Sequence, residues 1–137
     1  MASWMQEYLD SWSSHDGSRV AAFMAEDATY EDLALMLLHE GRDAIGAFVA
    51  RADLFSKDYA FRPVSEQQSG DRYALEWEMY GTNTGATGGR PATNKPYRIR
   101  GVSIGQLDAN GKITWNRDYW NMVDYLTQVG ILPPPGS

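Results

Sequence analysis

The hydrophobic spacing of this chain changes period near its middle, and that change limits the folds open to it. Up to residue 52 the apolar residues recur at three- and four-residue steps. They are Trp4, Met5, Tyr8, Leu9 and Trp12, then Val20, Ala21, Phe23 and Met24, then Ala44, Ile45, Phe48, Val49 and Ala52. Such spacing lays one apolar stripe along a helix. It predicts a helix over 4–12, a short second helix ending near Asp27, and a third after Gly41 that Arg42 and Asp43 open. The capping-type residues Ser13, Ser14 and Asp16 precede the second helix. Ala28 to Asp32 is a short strand candidate, and Leu33 to Leu38 reads equally as strand, loop or helical turn. From Tyr59 the period falls to two. Tyr73, Leu75, Trp77 and Met79 alternate with Ala74, Glu76, Glu78 and Tyr80. An alternating stretch from Tyr59 through Val64 precedes this strand, and further strands follow over 97–107 and 112–120. Gly70-Asp71 and Asn110-Gly111 are hairpin turn signals. Residues 81–94, rich in Gly, Thr and Asn, read as a loop at a mouth or a dimer contact. Val123, Leu126 and Val129 predict a last helical turn or two before Gly130.

Helices first and antiparallel strands second predict an α+β domain. The expected form is a cone-shaped barrel, with three N-terminal helices packed on a strongly curved, mostly antiparallel sheet. Gly101 and Gly105 share one strand face, which is read as a sharp bend. Residues 1–137 read as a single domain, with 133–137 a disordered tail. Seventeen aromatic residues suffice to line a pocket as well as a core. A net charge of −6 disfavours a nucleic-acid partner. Without cysteine there is no disulfide framework and no thiolate nucleophile, and two histidines cannot make a three-histidine metal site. No metal or other cofactor is expected. No apolar run is long enough to span a membrane, so no membrane partner is expected. The segment MASWMQEYLD carries acids where an export leader carries Lys or Arg, so a cytoplasmic location is expected.

Strand alternation puts Asn116, Asp118 and Trp120 on one face, with Trp115, Arg117 and Tyr119 on the other. A carboxylate beside Trp and Asn on an inner face would be partly desolvated, which raises its pKa toward a useful acid–base value. Tyr30 and Asp32 share a face, with Glu31 opposite. Asp32 reads either as a buried base near Tyr8 or as a turn cap. Glu76 and Glu78 share a face that reads either as cavity wall or as solvated exterior, where Arg98 and Arg100 would pair with them. His15 reads as a surface or capping residue, and His39 as a loop residue bordering a cavity. The Gly-rich loop lacks the pattern of a phosphate-binding loop.

Several stretches are similar to one superfamily. EYLDSWSSHD at 7–16, MAEDATYED at 24–32 and HEGRDAIGAF at 39–48 resemble the front half of bacterial ketosteroid isomerase. LDANGKITWNRDYWNMVDYLTQVG at 107–130 resembles the closing strand and tail of SnoaL-like proteins, and GTNTG at 81–85 resembles their GTHTG. The chain thus resembles the nuclear-transport-factor-2-like fold, in its group of SnoaL-like polyketide cyclases, ketosteroid isomerases and limonene-epoxide-hydrolase-like enzymes. The resemblance implies that Asp118 is an acid–base residue, Asp32 a proton shuttle and Tyr8 an oxyanion donor. Ser103 stands where the isomerases keep a second, acidic oxyanion donor. The hydrolases' Arg and second Asp fall on Glu76-Trp77-Glu78, where Glu78 stands for the acid.

The expected activity is cofactor-free acid–base chemistry on a small hydrophobic molecule of polyketide, terpenoid or steroid type. An isomerase or polyketide-type cyclase would use Asp118, Asp32 and Tyr8. Asn116, Trp120, Tyr30, Ser103, Glu78 and Phe48 are the candidate substrate contacts. One alternative is an epoxide hydrolase in which Asp118 with Glu78 or Asp32 activates water. Another is a non-catalytic small-molecule-binding or assembly module. A homodimer is expected through the outer sheet face.

Overall fold

The computed structural model describes residues 2–136. Met1 and Ser137, the last residue of the expected tail, lie outside the described residues. Helix α1 spans Trp4–Ser13 and is capped by the Ser3 hydroxyl, which accepts from the Gln6 amide at 3.0 Å. Its apolar stripe buries Met5, Tyr8, Leu9 and Trp12. Helix α2 spans Gly17–Ala21, and the Asp16 carboxylate caps it by accepting from the Ser18 amide at 2.9 Å. Strands β1 (Met24–Asp32) and β2 (Leu37–Glu40) follow, then α3 (Arg42–Arg51) and a single 3-10 turn over Ala52–Leu54. The second half holds β3 (Ala60–Ser69), β4 (Arg72–Thr82), β5 (Pro96–Leu107) and β6 (Ile113–Trp120). A fourth helix, α4 (Met122–Gln128), ends the regular structure, capped by Asn121 on the Asp124 amide.

The six strands form one sheet in the order β2-β1-β6-β5-β4-β3. β1 and β6 run parallel and every other neighbouring pair is antiparallel. This corrects the expected architecture. The sheet is mixed and open, with β2 and β3 as free edges, and it is neither closed into a cone nor strongly curved. The glycines read as a bend serve a different purpose. Trp77 is the register partner of Gly101, and Tyr73 of Gly105. A β-carbon at 101 would run into the Trp77 ring, and one at 105 into the Tyr73 ring and the Trp115 carbonyl. These glycines make room for aromatic rings on the neighbouring strand.

The second helix is shorter than its periodicity predicts. It stops at Ala21, and Met24 opens β1. The Ile113 amide donates to the Phe23 carbonyl at 2.8 Å, and Met24 pairs with Ile113. This pairing with a strand from the far end of the chain overrides the local helical spacing.

The helices cover one face of the sheet. Beneath them lie Ala28 and Tyr30 of β1, Tyr73, Leu75 and Trp77 of β4, and Tyr97 and Ile99 of β5, all buried. The opposite face is charged. Glu78 there meets Arg62 at 2.8 Å and Arg98 at 3.5 Å, Arg117 meets Glu31 at 3.6 Å, and the guanidiniums of Arg72 and Arg117 lie over Trp115.

Candidate active site

Between the covered sheet face and α1, α3 and α4 lies a cavity of about 360 Å³, a size suited to a small molecule. Its walls are mainly apolar and aromatic, with Leu9, Trp12, Phe48, Phe61, Trp77, Met79 and Ile99 among the liners. Asp32, Ser103 and Asp118 bring polar groups into this lining, with the hydroxyls of Tyr8 and Tyr30. The exposed Leu35 and Leu37, Arg51, and residues Ala86 to Gly88 of the loop after β4 form its rim. A broader depression between α2 and α3 is lined by short side chains with Arg42 and Asp43 and shows no buried titratable group.

Asp118 is the hub of the cavity floor. Strand alternation turns it inward together with Asn116, and its carboxylate is buried. Oδ1 accepts from the Ser103 hydroxyl at 2.6 Å and from the Asn116 amide at 2.9 Å, and Oδ2 accepts from the Tyr30 hydroxyl. Each of the first two donors is itself held. The Trp77 indole donates to Ser103 at 2.9 Å, and the Tyr73 hydroxyl donates to the Asn116 carbonyl at 2.5 Å. No cation pairs with Asp118 among the described residues. Burial pushes its pKa up to about 6, against the hydrogen bonds from Ser103, Tyr30 and Asn116, and Asp32 adds to the rise. A carboxyl near that value can both take and give a proton close to neutrality.

Asp32 is the register partner of Asp118 across the parallel β1–β6 pair, and Tyr30 is that of Asn116. Both Asp32 oxygens accept from the Trp120 indole at 3.0 Å, and Oδ1 also accepts from the Leu35 amide at 2.9 Å. Burial raises its pKa, and these donors partly offset the rise. Asp32 thus combines the two roles its sequence position allowed, as a turn cap and as a cavity carboxylate.

Tyr8 comes to the same cavity from α1. Its hydroxyl is buried close to the side chains of Trp12 and Tyr30, and makes no hydrogen bond of good geometry among the described residues. Burial and then the charge of Asp118 push its pKa far above the ordinary phenol value, so it stays a neutral donor. An unpartnered buried donor is costly to keep and is ready to bond a ligand oxygen.

Among the residues singled out by sequence, Tyr8, Tyr30, Asp32, Phe48, Ser103, Asp118 and Trp120 line the cavity. Asn116 stands one hydrogen bond behind, holding Asp118. Glu78 does not join them, because alternation along β4 turns Trp77 and Met79 inward and leaves Glu78 with Arg62 and Arg98. Among the described residues no His, Asp and Glu side chains gather in a group of three that could hold a metal ion. No described helix is long and apolar enough to cross a membrane.

Sequence reasoning expected the last helix from Val123, Leu126 and Val129 but missed its cavity liners, Met122 and Tyr125; Val123 is exposed, and Tyr125 is buried instead. It also missed Asn83, which is fully buried. Asn83 donates to Tyr125 and Thr87 and accepts from the Thr93 amide, so it pins the loop at the rim. A polar residue at the head of a Gly-rich loop was the available signal.

The sequence profile of the SnoaL-like domain matches residues 5–116. The chain belongs to the SnoaL-like family. Its fold recurs in solved structures of that group. A Catenulispora acidiphila protein with a ketosteroid isomerase-like fold, solved with trimethylamine, superposes with a TM-score of 0.83 at 21% identity, over 93% of this chain and 92% of that one. IdmH of Streptomyces antibioticus, a candidate polyketide cyclase, gives 0.80 at 18% identity over 92% and 95%. A candidate polyketide cyclase of Xanthomonas campestris gives 0.76 at 24% identity over 92% and 93%. No curated protein sequence matches the chain at a significant level. This SnoaL-like chain therefore has the nuclear-transport-factor-2-like fold related to ketosteroid isomerases and polyketide cyclases, a fold that hosts several chemistries.

Proposed function

We propose that this SnoaL-like chain is a cofactor-free acid–base enzyme that isomerises or cyclises a small hydrophobic carbonyl compound. One observation carries the reading: Asp118 and Asp32 stand side by side in a mainly apolar cavity that Tyr8 also lines, and among the described residues neither acid forms an ion pair. Asp118 takes a proton from the carbon next to the substrate carbonyl. The C–H electron pair moves into the new C=C bond, and the carbonyl oxygen becomes an enolate oxygen. Tyr8 donates a hydrogen bond to that oxygen as its charge develops. The enolate carbon then attacks a second carbonyl of the same molecule, whose π electrons move onto its oxygen and take up the proton held by Asp118, or the proton returns to a different carbon. Asp32 is the second proton carrier, and Ser103, Tyr30 and Asn116 hold Asp118 in place. The dry walls keep water from quenching the enolate.

Deuterium incorporation from heavy water into enolisable aromatic ketones, followed by NMR, tests the reading. Wild-type protein exchanges the α-hydrogens, while folded Asp118→Asn and Asp32→Asn exchange at the background rate. Equal exchange by wild type and both variants would overturn it.

The proposal includes a homodimer through the outer sheet face, where Tyr80 and Tyr119 are 40% and 42% exposed. Light scattering of a monomeric mass at micromolar concentration would overturn that part.

A further inference from the structure

We infer that Arg51 is the recognition point for an anionic end group, so that the substrate is an amphipathic carboxylate held with its charge at the cavity mouth. The inference rests on the cavity being the substrate site, as proposed above. Arg51 is the one cationic side chain lining the cavity among the described residues. It ends α3, is exposed, and its guanidinium makes no hydrogen bond or ion pair among the described residues. Several other cations of the fold are engaged, and Lys57, Arg90, Lys95 and Arg100, which are not among the described residues' hydrogen bonds and ion pairs, do not line the cavity. Arg62 and Arg98 meet Glu78, Arg117 meets Glu31, Arg42 donates to the Met24 carbonyl and Lys112 to that of Ala22. A free guanidinium at the rim of an apolar cavity presents a planar fork of donors that fits a carboxylate.

The charge layout also sets direction. The floor holds Asp118 and Asp32, which repel an anionic group, and the rim holds Arg51, which attracts it. A molecule with one carboxylate end therefore enters with its neutral, reactive end leading. His39 stands beside this point. Its ring stacks on Phe48 at 4.3 Å, and its Nε2 is buried without a hydrogen-bond partner among the described residues. Burial, and then the nearby Arg51, hold the imidazole below its ordinary pKa, while Asp32 pulls the other way. A carboxylate bound at Arg51 would offset that cation and give the ring nitrogen an acceptor.

The test uses 6-hydroxy-2-naphthoate and its methyl ester, which differ at one end in charge and by one methyl group. Titration calorimetry at neutral pH should show the acid binding about tenfold tighter than the ester, as a charge-assisted bond allows. Arg51→Gln should bring the two within about twofold of each other by weakening the acid alone, and Arg51→Lys should keep part of the preference. With only two histidines in the chain, the His39 ring signals can be followed by NMR. The His39 titration should move to higher pH with the acid and stay put with the ester. Equal affinity of wild type for acid and ester, or an undiminished preference in Arg51→Gln, would overturn this inference and leave the cavity reading standing. Binding of neither probe would overturn both.

Discussion

Asp32 and Asp118 face each other across the parallel β1–β6 pair, so two carboxylates from distant parts of the chain share one inner wall, and among the described residues neither forms an ion pair. Replacing Asp118 by Asn keeps the shape and removes the proton carrier. Turnover should fall by about 10²–10⁴-fold while circular dichroism stays unchanged.

The same substitution should change how stability responds to pH. Burial raises the folded pKa of Asp118 above its unfolded value. Its contribution is therefore fully present below the ordinary carboxylate range and is lost as pH rises through about 6. A rise from 3.8 to about 6 corresponds to about 3 kcal/mol. Asp118→Asn should be the more stable protein at pH 8, with the gap closing toward pH 4, as read by chemical denaturation at each pH.

Tyr8→Phe removes a buried hydroxyl that makes no hydrogen bond of good geometry among the described residues. Stability should hold or rise, by about 1 kcal/mol. The rate should drop by about 10²–10³-fold, since the enolate loses its donor. A thermal melt and a rate measured on one preparation separate the two effects.

The pH–rate profile should show a limb near 6 that belongs to Asp118. Ser103→Ala takes away a hydrogen bond that favours the carboxylate, so the limb should move to higher pH. Asp32→Asn takes away a neighbouring negative charge, so the limb of any residual activity should move to lower pH.

Gly101→Ala should be costly although only a methyl group is added. Its β-carbon would strike the Trp77 ring, whose indole holds Ser103 and, through it, Asp118. Destabilisation of about 1–3 kcal/mol is expected, with loss of activity exceeding what the unfolded fraction explains.

Local pattern revealed most of the elements and the inward aspect of Asp118. Alternation over Trp115–Trp120 sorts Asn116 and Asp118 from Arg117, and alternation over Tyr30–Asp32 does the same for β1. The Gly70-Asp71 and Asn110-Gly111 signals fall between paired strands. What local pattern could not carry was pairing between distant segments. The parallel joining of β1 to β6 decides that the sheet stays open at β2 and β3, and nothing near either strand records it. Gly101 and Gly105 looked like a bend because the rings that need their space lie on another strand. Glu78 was ambiguous for a similar reason, since both faces of β4 carry large groups and only the packed helices choose between them.

The parallel junction of β1 and β6 also governs when this protein can begin to work. Its proposed reactive pair unites a residue from the first quarter of the chain with one from the last, so a ribosome must release nearly the whole polypeptide before either acid finds its neighbour. Pairing across so long a span carries a loop-closure cost that local contacts do not, which slows it. Proton-transfer activity would then appear in a single step at the end of folding, and its onset would report completion of the entire sheet.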